Sequence, residues 1–291
     1  MTVEHSFGGP WTERKLKCLR DYLCAYRTIF TGNPRARYFH TWYVDAFAGT
    51  GSRSTAPDNG SSLDIYDDTE AQQYQDGSAK IALGLPSPFD RYLFIEKSRR
   101  RVGELQSVIR SEYAQLYERC EFLAGDANSQ LTEWCAARDW SKERAVVFLD
   151  PYGMQVDWTT VVTLAETKGV DLWYLFPGIA RVLRRDGNIP EAWKHRLDAL
   201  FGTTAWQTRF FEKKRGQDLF GETENVKRTV SETAVEGFIH ERLATCFGRK
   251  VGKGLILRNS KSSPLYFLCF AASNERGARA ALNIANSILD D

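Results

Sequence analysis

The sequence predicts an α/β protein built around a mostly parallel sheet, and three observations carry that prediction. First, the run Trp42-Tyr43-Val44-Asp45-Ala46-Phe47-Ala48-Gly49-Thr50-Gly51 is apolar up to an acidic residue and then enters a Gly-x-Gly turn. Its aromatic and β-branched content and abrupt glycine ending suit a buried parallel strand. Second, three later apolar runs stop at a polar residue in the same way: Phe94-Ile95-Glu96, Leu123-Ala124-Gly125-Asp126-Ala127-Asn128, and Val146-Val147-Phe148-Leu149-Asp150-Pro151-Tyr152-Gly153. Third, helical periodicity fills the spaces between them, and such alternation calls for a parallel sheet with right-handed crossovers. A strand that feeds a glycine turn is where doubly wound sheets bind nucleotide-like ligands, because glycine lets backbone N–H groups approach closely. The third glycine of the dinucleotide fingerprint is missing, since Ser52, Arg53 and Ser54 follow Gly51.

In chain order, residues 11 to 30 read as a helix, with Leu16, Leu19, Leu23, Tyr26 and Ile29 on one side and Gly32, Asn33 and Pro34 ending it. Lys15 falls in its first turn, where the helix dipole disfavours a cation, and reads as a solvated surface lysine. Residues 52 to 76 are rich in Ser, Asp, Asn, Gln and Gly and read as a long loop, the kind that commonly serves as a lid. The next helix starts only at Gly77-Ser78, with Ser78 as its expected cap. This delay explains why Glu96 follows Gly51 by 45 positions, where about 20 is usual for a ribose-binding acid. Residues 91 to 95 are the second strand and Arg99 to Tyr117 a helix. Glu121 to Leu123 is a short third strand, Leu131, Trp134 and Cys135 mark a helix, and Ala145 to Leu149 is a central strand. Val156 to Ala165 is a crossover helix and Val170 to Phe176 a fifth strand. From 179 to 249 the pattern turns helical and aromatic, with Trp193, Phe201, Trp206, Phe210 and Phe211, a basic run Lys213-Lys214-Arg215, and a long helix from about Val226 to Phe247. Interleaved bases and aromatics suit a stacking surface for nucleic acid, although aromatics at helical spacing read first as core. Gly254 to Arg258 and Leu265 to Ala271 are strands, followed by a helix through Leu289.

The totals narrow the classes. With 291 residues, 43% hydrophobic and 26% charged, the chain can bury a full core. A net charge of +2 gives no overall electrostatic footprint for nucleic acid. Cysteines 18, 24, 120, 135, 246 and 269 form no Cys-x-x-Cys pair and no Cys/His ligand spacing, so no metal site and no disulfide framework is expected. No apolar run approaches the ~20 residues that span a membrane, and the expected compartment is the reducing cytoplasm.

The four strand ends together resemble the S-adenosylmethionine-dependent methyltransferases with a Rossmann-like fold. There the first strand ends acidic-x-Phe-x-Gly-x-Gly, matched by Asp45, Phe47, Gly49 and Gly51. The second ends in a ribose-binding acid, matched by Glu96, and the third in Gly-Asp-Ala, matched by Asp126 and Ala127, whose Asp meets the adenine amino group. The fourth ends in Asp-Pro-Pro-Tyr or a variant that holds a substrate amino group. Asp150-Pro151-Tyr152-Gly153 departs from it by one proline and is similar to the Asp-Pro-Phe-Gly of enzymes that methylate a guanosine amino group in tRNA. The order Trp-x(3)-Lys-Leu, Phe-Ala-Gly-Thr-Gly, a delayed Gly77-Ser78 and Phe-Leu-Asp-Pro-Tyr-Gly is also similar to the bacterial three-Cys-motif partner proteins. The resemblance spans about residues 11 to 180. It implies a seven-stranded sheet with an antiparallel last strand, S-adenosylmethionine as cofactor, and a separate cysteine-motif protein or nucleic acid as partner. It makes 1–178 and 250–291 one α/β domain and 179–249 a helical insertion. It also offers Lys15 a second reading, contact to the cofactor carboxylate, and lets Gly77 and Ser78 face that same carboxylate.

The chemistry expected at the fourth strand follows from the acceptor. An exocyclic amine is a poor nucleophile because its lone pair is delocalised into the base. The Asp150 carboxylate and the Pro151 carbonyl can accept its two hydrogens, freeing the lone pair, while Tyr152 can stack on the base. Three functions remain compatible with these motifs: an amino-methyltransferase of DNA or RNA, a methyltransferase for a protein or small molecule, and a non-catalytic methyltransferase-like subunit.

Overall fold

The computed structural model describes residues 10–49, 77–179, 183, 189–218, 221–228 and 231–291. Gly51 and the 52–76 segment with its expected lid lie outside the described residues. The central strand, β1 (His40–Asp45), pairs in parallel with β2 (Arg91–Glu96) on one side and β4 (Glu143–Leu149) on the other, with Val44 opposite both Leu93 and Val147. Outside them lie β3 (Cys120–Ala124) on β2 and β5 (Val170–Pro177) on β4, both parallel. The strand β9 (Pro264–Ala272) runs antiparallel to β5, and β8 (Leu255–Arg258) antiparallel to β9. The order β3-β2-β1-β4-β5-β9-β8 is the expected seven-stranded, mostly parallel sheet with an antiparallel strand last in the chain.

Parallel strands are buried on both faces, and the alternation of side chains shows it. On one face Tyr43, Phe94, Phe148 and Trp173 pack with α1 (Pro10–Gly32), α2 (Ser78–Leu83), α3 (Arg99–Glu112) and α9 (Ala278–Asp290). On the other face Trp42, Val44, Val147 and Tyr174 pack with α4 (Ala127–Ala136) and α5 (Trp158–Glu166). The first and last helices touch, because the Arg14 guanidinium donates to the carbonyls of Ile288 (3.4 Å) and Leu289 (3.5 Å). A buried hydrogen bond from Tyr22 to Asp171 (2.7 Å) joins α1 to β5.

The stretch after β5 holds α6 (Glu191–Phe201), α7 (Trp206–Phe210) and α8 (Glu232–Phe247). Its aromatics are core: Phe238 lies 5.1 Å from Phe201 and 5.2 Å from Phe210, ring to ring, in the same cluster as Val147. The long helix expected from Val226 starts only at Glu232, where the Ser231 hydroxyl accepts from the Ala234 N–H (3.2 Å). Residues before it form a two-stranded antiparallel hairpin of β6 (Phe211–Asp218) and β7 (Gly221–Arg228). The helix expected to run to Tyr117 instead stops at Glu112 and continues as a 3-10 turn, Ala114–Arg119.

Candidate functional site

Backbone hydrogen bonds stitch the carboxyl ends of four neighbouring strands into one edge. Ala46 N–H donates to the Phe148 carbonyl (3.2 Å), Ala48 N–H to Ile95 (3.0 Å) and Gly125 N–H to Glu96 (3.1 Å). The chain leaving β1 turns at Gly49, whose φ of +60° favours glycine. The polar residues at these ends therefore sit side by side along one rim of the sheet, where an open α/β fold places its ligands.

Asp45 is wholly buried. Its Oδ2 accepts from the Ser78 hydroxyl (2.6 Å) and from Tyr43 (3.4 Å), and its Oδ1 from the Phe47 N–H (3.2 Å). Burial pushes its carboxyl up to about 6, the Ser78 hydrogen bond opposes the rise, and the charge of Asp150 adds to it. Ser78 is thus no cap: it is the first residue of α2 and spends its hydroxyl on Asp45, while Gly77 stands at the cap position without a side-chain bond. A Cβ there would come within 2.6 Å of a Leu16 methyl on α1, which would have to shift to admit it. Phe47 is partly buried and packs on the core beside β1.

Glu96 is 8% exposed at the end of β2. Its Oε1 accepts from the Ser98 N–H (2.9 Å), and Arg101 is 3.9 Å away. Its Oε2 has no partner among the described residues. Asp126, exposed, caps α4 by accepting from the Ser129 N–H (3.1 Å), and Ala127 behind it is buried. Asn128 then braces the loop that follows β4: its amide donates to the Gln155 carbonyl (2.9 Å) and its Oδ1 accepts from the Asp157 N–H (2.9 Å) and the Thr160 hydroxyl (2.8 Å).

At the end of β4, Pro151 is buried and Tyr152 half-buried. Asp150, 7% exposed, forms a 2.5 Å ion pair with Lys15 of α1. Lys15 is 2% exposed, with the rings of Trp11 and Phe148 at 5.4 and 6.0 Å from its nitrogen. The solvated reading of Lys15 is therefore overturned: carbon covers its stem, and a buried ammonium persists only because a carboxylate compensates it. Its partner is 135 positions away in sequence, so no local pattern announces the pair.

The remaining candidates are quiet. Burial pushes the Cys135 and Cys269 thiols up to about 12, and the described residues contain no cluster of His, Cys, Asp and Glu fit for a metal. No helix among them is long and apolar enough to cross a membrane.

No protein-family model matches the chain, and no curated protein does. Among solved structures it is similar to Trm1 from Pyrococcus horikoshii in complex with S-adenosyl-L-methionine, at 11% identity and a TM-score of 0.45, over 92% of this chain and 58% of that one. It is also similar to spermidine synthase from Thermotoga maritima, at 8% identity and a TM-score of 0.43, over 100% of this chain and 76% of that one. An O-methyltransferase from Bacillus cereus in complex with SAH matches at 14% identity and a TM-score of 0.38, over 87% and 80%.

Proposed function

We propose that the protein is an S-adenosylmethionine-dependent methyltransferase whose acceptor is an exocyclic amino group of a nucleobase in DNA or RNA. The observation that supports it is the row of carboxylates at four adjoining strand ends, Asp126, Glu96, Asp45 and Asp150, in the sheet order β3-β2-β1-β4. The donor set fits the cofactor. Glu96 is held rigid by one oxygen while its other oxygen has no partner among the described residues, as a ribose diol requires. Asp126 is exposed at a helix start, available to an adenine amino group, and Gly49 lets the backbone come close. Phe47, Ala127 and the Gly77-Ser78 turn line the same rim, and Gly51 completes the motif in sequence. When bound, the cofactor supplies an electrophilic methyl group.

The protein's own share is positioning. Asp150 and the Pro151 carbonyl accept the hydrogens of the amine and restore its lone pair, and Tyr152 stacks on the base. In-line orientation of this kind contributes roughly 7 to 11 kcal/mol in well-ordered systems. A target inside a duplex must first be flipped out, at a few kcal/mol. The motif order further points to a separate cysteine-motif protein as partner in the cytoplasm, which co-purification from the host tests.

Two measurements check the reading. Glu96→Ala should weaken cofactor binding by about 1.5 to 3 kcal/mol, the range for hydrogen bonds to a charged group; unchanged affinity in calorimetry removes the assignment. Labelled-methyl transfer should reach nucleic acid among fractionated host DNA, RNA and protein. Asp150→Ala should abolish it while the cofactor still binds, and Tyr152→Ala should weaken acceptor binding by about 1 to 3 kcal/mol. Label appearing in protein fractions alone would refute the nucleobase acceptor.

A further inference from the structure

Building on the acceptor role of Asp150, we infer that Lys15 sets the charge of the acceptor: the site takes an uncharged amino group and turns away an ammonium. The Lys15 nitrogen stands 2.5 Å from Asp150 Oδ2, and Trp11 and Phe148 close two of its sides with carbon. Among the described residues Asp150 is its one ion-pair partner. The carboxylate that should attract an amine is therefore neutralised from within the protein before any acceptor arrives.

This changes which amines fit. An aliphatic ammonium, such as a lysine side chain or a polyamine, would bring a second positive charge beside Lys15 in a weakly screened setting, where like charges repel strongly. It would also find the compensating charge already taken. An amino group on a nucleobase is neutral and carries two hydrogens. Asp150 Oδ1, which has no partner among the described residues, accepts one of them with no repulsion to overcome. Asp45 adds a negative charge beside Asp150 once its carboxyl, raised to about 6, has ionised, so binding is titrated at about pH 5.5, where it is mostly protonated. Lys15 acts through Asp150 and so determines specificity without touching the reacting atoms.

The test needs neither a turnover assay nor the natural substrate. The cofactor-free protein is titrated with n-butylammonium and with 1-methylcytosine, followed by calorimetry and by melting temperature. Wild type should prefer 1-methylcytosine. Lys15→Gln, nearly isosteric and uncharged, keeps the lysine space filled and should bind n-butylammonium at least tenfold more tightly than wild type and melt higher in its presence. Adding Asp150→Asn should erase that gain, and Lys15→Arg, which keeps the charge, should retain the wild-type preference. Lys15→Met, of similar length and uncharged, gives the same readout if the glutamine variant does not fold. A Lys15→Gln or Lys15→Met protein that gains no n-butylammonium binding, or a wild type that binds it equally well, overturns the inference. Should n-butylammonium behave as expected while wild type ignores 1-methylcytosine, the charge role of Lys15 stands and the nucleobase acceptor falls.

Discussion

Asp45 holds a carboxyl group inside the protein, at a value of about 6 against an ordinary 3.8, so the folded state favours its protonated form. Its contribution to stability is full below about pH 4 and is lost as the pH rises through 6. Asp45→Asn, which mimics the protonated acid, should therefore gain stability relative to wild type across that window, by on the order of 3 kcal/mol. Urea melts of both proteins at pH 4 and pH 7 measure it, and a constant difference would show that Asp45 does not titrate there. Asp171 is raised to about 6 as well, but it is present in both proteins and cancels. At this scale the sequence was only partly informative. The acidity of the strand ends was legible because each acid stops an apolar run, whereas Lys15 was not, because what fixes a buried lysine is a partner supplied by the tertiary fold.

The joints between elements show how tightly the rim is built. Gly178, directly after β5, donates its N–H to the Leu265 carbonyl at 2.7 Å, and a Cβ there would meet that same oxygen at 2.4 Å. The obstacle is backbone and cannot swing aside, so Gly178→Ala should destabilise the protein by about 1 to 3 kcal/mol, the range for overpacking. A change within a few tenths of a kcal/mol in denaturant unfolding would contradict the packing of β5 on β9. Elements with a buried face were legible: Val170 to Phe176 reads as a strand and is one. The β6–β7 hairpin is not legible, because Glu212 to Arg215 and Glu222 to Asn225 give no alternation of apolar and polar residues, and with no strand signal in β7 the helix is expected from Val226 instead of Glu232.

Across the whole molecule, the segment between β5 and β8 shares its core with the sheet rather than enclosing one of its own, since Phe201, Phe210 and Phe238 cluster with Val147 and Tyr174. We therefore expect a single calorimetric unfolding transition. Phe238→Ala should shift all of it by about 3 to 5 kcal/mol, and a second transition that alone responds to the substitution would establish a separate domain. The contact of Arg14 with the carbonyls of Ile288 and Leu289 has a practical consequence. Because α1 and the end of α9 are neighbours, a short linker can join them once residues 1–9 are removed, and new ends can be opened in the turn Asn259–Ser263 between β8 and β9. Such a circular permutant keeps every strand of the sheet and both outer helices in place. It would also move the attachment point for a fusion partner to the edge strand β8, close to the Lys15–Asp150 pair, because Trp11 lies beside Lys15 and stacks on Tyr266 just past that turn.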